Sequence, residues 1–292
     1  MTIYEKVVEK HGGHDIMTTP YPIMNLYLRR DNMLILTFRL SVFGDFRRFA
    51  PTTSNTIAWT QALQKEGYNF LPNIFQMPQQ VVNTPVFSVQ VGSNDNRIQF
   101  VSQSGDVSMR ILPERLDIEF TQGTTDRLKE YFEGKLQDAV RLMGVMLNTL
   151  DPELRGNRLA YYVETLIPEQ DNNQFSPFYQ RNNLDIKMGN GLDECTEWNH
   201  RFNRRIMLNV CSDAEELCNA IFSLESGVLQ SFDPATKEQQ TIKGLHIISD
   251  INTLAENALE RFGIDNFNRF TRSAQNTYYD IIEQIENNIF RD

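Results

Sequence analysis

Between Val86 and Thr121 the chain alternates short β-type segments with connectors too short to carry a crossover, and this constrains the fold more than any other stretch. The segments are Val86–Val91, Arg97–Gln103, Val107–Leu112 and Leu116–Thr121, with the apolar and polar alternation of half-buried strands. They are joined by Gly92-Ser93-Asn94-Asp95-Asn96, Ser104-Gly105-Asp106 and Pro113-Glu114-Arg115, whose residues preset turns or tolerate positive φ. Parallel neighbours need a crossover of roughly a dozen residues or more. These connectors therefore predict an antiparallel meander of four strands, one face of which must be covered.

The next segment supplies a cover. Thr124-Thr125-Asp126 reads as an N-cap and acidic first turn for a helix running to about Thr149. Leu128, Phe132, Leu136, Ala139, Met143, Met146 and Leu150 step by three and four and so form one apolar stripe. Upstream, Ile23–Phe43 reads as a hairpin turning at Arg29-Arg30-Asp31-Asn32. Thr53-Ser54 opens a short helix that stops at Glu66-Gly67. Leu71–Pro85, punctuated by Pro72, Pro78 and Pro85, reads as irregular backbone or an edge.

Asp151-Pro152 ends the long helix, and the order then recurs. An apolar run, Leu159–Ile167, leads into a polar connection over Pro168–Asn190. Strands follow at Cys195–Cys211, Leu217–Leu224 and Ile242–Ser249, the last two separated by the turn residues Asp233–Lys237. A short helix near Asn252–Phe262 and a long one over Asp265–Phe290 close the chain. The long helix carries Phe267, Phe270, Ala274, Tyr278, Ile281, Ile285 and Ile289 on one stripe. The expected fold class is α+β, with two antiparallel-sheet units (residues 1–152 and 153–292), each followed by a long amphipathic helix. That order admits an internal duplication.

Charge narrows the partners. Set against 38 acidic residues, 28 Lys and Arg leave a net charge of −10, which opposes a whole-surface grip on nucleic acid. Protein partners or self-association are expected, with nucleic acid reached only through local arginine clusters. No run of about 18 uncharged apolar residues occurs, and the first residues mix charge into a Val/Tyr pattern, so a cytoplasmic protein without a membrane partner is expected. Cys195, Cys211 and Cys218 lack C-x-x-C spacing. The phosphate-loop, dinucleotide, nucleophile-elbow, zincin and EF-hand patterns are absent, and no cofactor is expected.

Four groups carry chemistry. His11, His14 and Asp15, around Gly12-Gly13, have ligand-type side chains close together, against the simpler reading of a solvated turn. Asp193, Glu194, Glu197 and His200 form an acidic string, but on a strand the period of two splits Glu194 and His200 from Asp193 and Glu197. Arg201, Arg204 and Arg205 are the densest basic group and suit phosphate or an acidic partner, against the reading of surface ion pairs. Phe175, Phe178 and Tyr179 in the polar connection either anchor a partner or tuck back onto the body.

The segment Arg97–Phe120 resembles the central strands of a sporadically distributed family of uncharacterised bacterial α+β proteins. There, phenylalanine is followed by a serine and acid/glycine turn, an apolar strand, and an acid-arginine-leucine triplet. Leu245–Asn252, followed by helices, is similar to that family's apolar strand with Asp-Ile/Val-Asp, with Asn252 in place of the second acid. The resemblance covers the middle and the C-terminal third and implies no catalytic residues. Its patchy distribution implies an accessory subunit of a mobile defence or toxin–antitoxin-like system. The leading expectation is thus a non-catalytic binding or scaffold subunit of a bacterial assembly. The alternative is a metal-dependent enzyme on nucleic acid or nucleotides, with the acidic string on metal and the arginines on phosphate.

Overall fold

The computed structural model describes residues 8–11, 14–19, 33–49, 51–76, 80–83, 88–91, 96–125, 128–169, 175, 178, 181, 199–232, 239–256 and 259–289. Its strands are β1 (Val8–His11), β2 (His14–Thr19), β3 (Met33–Phe43), β4 (Phe70–Gln76), β5 (Gln80–Asn83), β6 (Ser88–Val91), β7 (Asn96–Ser102), β8 (Val107–Ile111) and β9 (Arg115–Thr125). After these come β10 (Arg158–Pro168), β11 (Asn199–Asn209), β12 (Glu215–Phe232) and β13 (Gln239–Thr253). The helices are α1 (Thr53–Lys65), α2 (Leu128–Leu150) and α3 (Ile264–Ile289).

Eleven strands join one sheet in the order β1-β2-β12-β13-β10-β3-β9-β8-β7-β4, with β11 beside β12. Every pairing in it is antiparallel except β2 with β12. The architecture is sheet-dominated, which corrects the expectation of two sheet-plus-helix units. The reason lies in β3 and β10. Both are buried along nearly their whole length, and each must satisfy backbone groups on two sides. They do so with each other, Tyr161 facing Leu40 and Val163 facing Phe38, while β9 and β13 flank them.

The meander forms as β7, β8 and β9, but its expected first strand is diverted. Within Val86–Val91, β6 pairs with β5 in a separate two-stranded sheet, and β4 takes the place beside β7. A short connector dictates antiparallel order without deciding which strand lies next to β7. The stretch read as irregular thus contains β4, and Pro72 fits there because β4 ends the sheet and an edge position can spare an N–H. The proposed turn at Arg29–Asn32 and the turn at Asp233–Lys237 lie outside the described residues.

Helix boundaries follow local chemistry. Thr52 caps α1, its Oγ1 accepting from the Asn55 N–H at 3.2 Å, and Gly67 ends the following turn at φ +85°. β9 continues to Thr125, so Thr124 and Thr125 are strand rather than cap. The short helix expected near Asn252–Phe262 does not form among the described residues of that span. β13 runs to Thr253, and Phe262 forms an extended bridge to Gly156. The stripes of α2 and α3 face one core, in which Phe132 meets Phe38 and Tyr278 edge to face with ring centroids 4.9 and 5.4 Å apart.

Candidate functional site

Strand register separates the sheet into two faces. Phe38, Leu40, Phe120, Tyr161, Val163, Ile247 and Ile251 share a core with the helices, so their neighbours along each strand point the other way. On that second face, cross-strand pairing lines up Glu119, Arg39, Tyr162 and Asp250 in one row. A second row holds Asp117, Ser41, Ala160, Asn252, Asn219 and Arg205, and a third Thr121, Thr37, Glu164, Ile248, Ser223 and Arg201.

Charges here are matched closely. Asp117, fully buried, accepts from Ser41 Oγ at 2.6 Å and from Arg115 Nε at 2.9 Å. Glu119 pairs with Arg110 and lies 3.6 Å from Arg39, whose guanidinium sits 4.6 Å from the Tyr162 ring centroid. Burial first, then the charge of Glu164, pushes the Tyr162 phenol well up.

The densest ionic group spans three adjacent strands. His246 Nδ1 lies 2.7 Å from Glu225 Oε1, and Nε2 lies 3.1 Å from Glu164 Oε1, off the ideal hydrogen-bond line. Burial alone would lower the affinity of His246 for its proton. The hydrogen bonds and charges of Glu164 and Glu225 outweigh it, and the imidazole is pushed up to about 9. At neutral pH both ring nitrogens therefore carry protons. Among the described residues no group of His, Cys, Asp and Glu is placed to hold a metal ion. Close strand approach seats the cluster: Gly227 faces Gly244, and a Cβ on Gly227 would lie 2.7 Å from the His246 Cβ. Sequence reading passed over these residues. The signal was a titratable residue interrupting each of two apolar strands, Glu164 in Leu159–Ile167 and His246 in Leu245–Ile248.

The arginine group lies at the sheet margin. β11 pairs only with β12 among the described residues, and most of its residues are exposed. Arg201 and Arg205 share the polar face with Asn203 and Met207, while His200, Phe202, Arg204, Ile206 and Leu208 point to the helix side, where Leu208 joins the core. The residues opposite the three arginines are Ser223, Ala220 and Asn219, none of them acidic. Arg205 reaches Glu256 at 3.7 Å, an exposed pair. Phe202 and Met207 are each 52% exposed, and Leu217, across from Met207, is 39% exposed.

Asp193, Glu194 and Glu197 lie outside the described residues. His11 and His14 are paired residues at the turn end of the β1–β2 hairpin, with Asp15 opposite Lys10. Phe175 and Phe178 are buried in the core, the tucked-back alternative rather than an exposed anchor, and Tyr179 lies outside the described residues. An open cleft of about 570 Å³, lined by Tyr68, Phe70, Ser102, Phe120 and Asp138, contains none of the sequence candidates. No helix among the described residues is long and apolar enough to cross a membrane. No protein-family model matches the chain, and neither does any curated protein.

Proposed function

We propose that the chain is a binding or scaffold subunit of a multi-protein assembly and acts through β11, an edge of its large sheet among the described residues. One observation carries this reading. β11 offers an edge of 11 residues with neither proline nor acid, paired on one side only among the described residues, and bearing exposed Phe202 and Met207. A bare edge of that length is a template for another strand, and proteins that leave one open ordinarily have something to put on it. At the opposite end of the sheet β4 contains Pro72, which blunts that edge.

The test is mass analysis of complexes purified gently from the native host, with metal and nucleic acid recorded together. A stoichiometric protein partner is the expected result. A lone chain carrying bound divalent metal or nucleotide would replace this reading with the enzymatic one.

A further inference from the structure

The edge of β11 is patterned closely enough to describe its occupant. Resting on the reading of the chain as a binding subunit, we infer that β11 takes up an extended acidic segment of another protein as an added strand.

The backbone argument comes first. One side of β11 bonds to β12, and the other offers its N–H and C=O groups to a strand that the described residues do not supply. Charge gives the sign of the occupant. Residues 199–209 hold three arginines and no acid, in a chain whose net charge is −10. Arg201 and Arg204 have no carboxylate partner among the described residues, and the exposed Arg205–Glu256 pair at 3.7 Å can be exchanged at little cost.

Two other occupants fit less well. A second copy of β11 would bring the same three cations with no acid on either strand to relieve them. A nucleic acid lying along one face of the sheet would meet Arg201 and Arg205 but not Arg204, which points to the helix side, and it would approach a chain that is acidic overall. A strand lying in the plane of the sheet projects side chains alternately to both faces and reaches all three.

Register then writes the occupant's pattern. Acids belong opposite Arg201, Arg204 and Arg205, and apolar residues opposite Phe202 and Met207. The segment therefore carries two adjacent acids, with a third three residues from the nearer of them and an apolar residue within that interval.

The probe is a displayed library of random peptides selected on the full chain. Selection should enrich β-prone sequences with this acid spacing. An enriched peptide, resynthesised and titrated, should lose at least tenfold in affinity to the triple variant Arg201→Glu, Arg204→Glu, Arg205→Glu, its folding checked by circular dichroism. The milder Arg201→Gln, Arg204→Gln pair serves if the triple variant melts early. N-methylation of alternate peptide amides should cost as much, since it removes ladder hydrogen bonds and leaves the charges.

Failure to enrich, enrichment of peptides without acids, or undiminished binding of the N-methylated peptide overturns the strand-addition proposal. So does a single-stranded oligonucleotide that binds more tightly than the peptide. A purified native partner whose affinity ignores the arginine substitutions refutes the edge while keeping the subunit reading. Peptides of the stated pattern, with no partner in native complexes, refute the subunit reading and keep the edge.

Discussion

Replacing His246 with glutamine and raising the pH on the unaltered chain remove the same charge, so the two perturbations check each other. In the folded protein His246 is held between Glu225 at 2.7 Å and Glu164 at 3.1 Å and keeps its proton to about pH 9, against the 6.5 of a free imidazole. Each tenfold change in proton affinity is worth about 1.4 kcal/mol, so the cluster contributes about 3 kcal/mol of stability. Its side chain is only 12% exposed, which keeps solvent screening small. Because the folded state binds the proton more tightly, this stability is fully present below pH 6.5 and is lost as pH rises through 9. Urea unfolding followed by circular dichroism, in steps from about pH 6 to about pH 10, reads it directly. His246→Gln should be less stable than the parent chain by about 3 kcal/mol at the acid end, with the gap closing at the alkaline end. A gap that stays constant with pH would refute the ionic account. So would an NMR titration of the His246 ring with its midpoint near 6.5.

Four further outcomes follow from packing and pairing. Gly244→Ala would place a Cβ 2.2 Å from the Ile167 carbonyl oxygen, a backbone atom that cannot step aside; a loss of at least about 3 kcal/mol is expected in urea unfolding. Gly134→Ala, exposed on α2 with nothing within 4 Å, should instead gain up to about 1 kcal/mol. Around buried Asp117, Ser41→Ala should cost about 2 kcal/mol and Arg115→Ala about 3, since the latter leaves a buried carboxylate short of its cation; thermal melts compare the two. Phe178→Ala should cost about 3 kcal/mol of folding stability, and with the protein still folded partner affinity should stay unchanged; a loss of binding without a loss of stability would return Phe178 to the partner surface.

The sequence was most legible where the deciding partners lie a few residues away. The α2 stripe through Phe132, Leu136, Ala139, Met143 and Met146 is buried as its spacing predicts, as is the α3 stripe through Phe267, Phe270, Ala274 and Tyr278. The connectors at Ser104–Asp106 and Pro113–Arg115 turn antiparallel strands as expected, and the helix stop at Gly67 has the positive φ that its glycine allows. Misreadings came where a local signal was overruled from a distance. Ser226-Gly227 lies past the expected end of a strand at Leu224, yet β12 continues to Phe232 because β13 pairs with it over that whole length. The arginines were legible as a group, but which face each takes, and that their strand pairs on one side only among the described residues, were not.

By itself, then, the sequence determined where the two long helices run, which face of each is apolar, and that strands joined by short connectors must be antiparallel. These follow from periodicity and turn chemistry, which act over a few residues. Only the tertiary structure decided that β3 and β10 weld the chain into one sheet, that His246 meets Glu164 and Glu225, and that β11 pairs on one side only among the described residues. The physical reason is that register, face and edge are settled by hydrogen bonds and burial between residues far apart in the chain, as with Ser41 and Asp117, 76 positions apart.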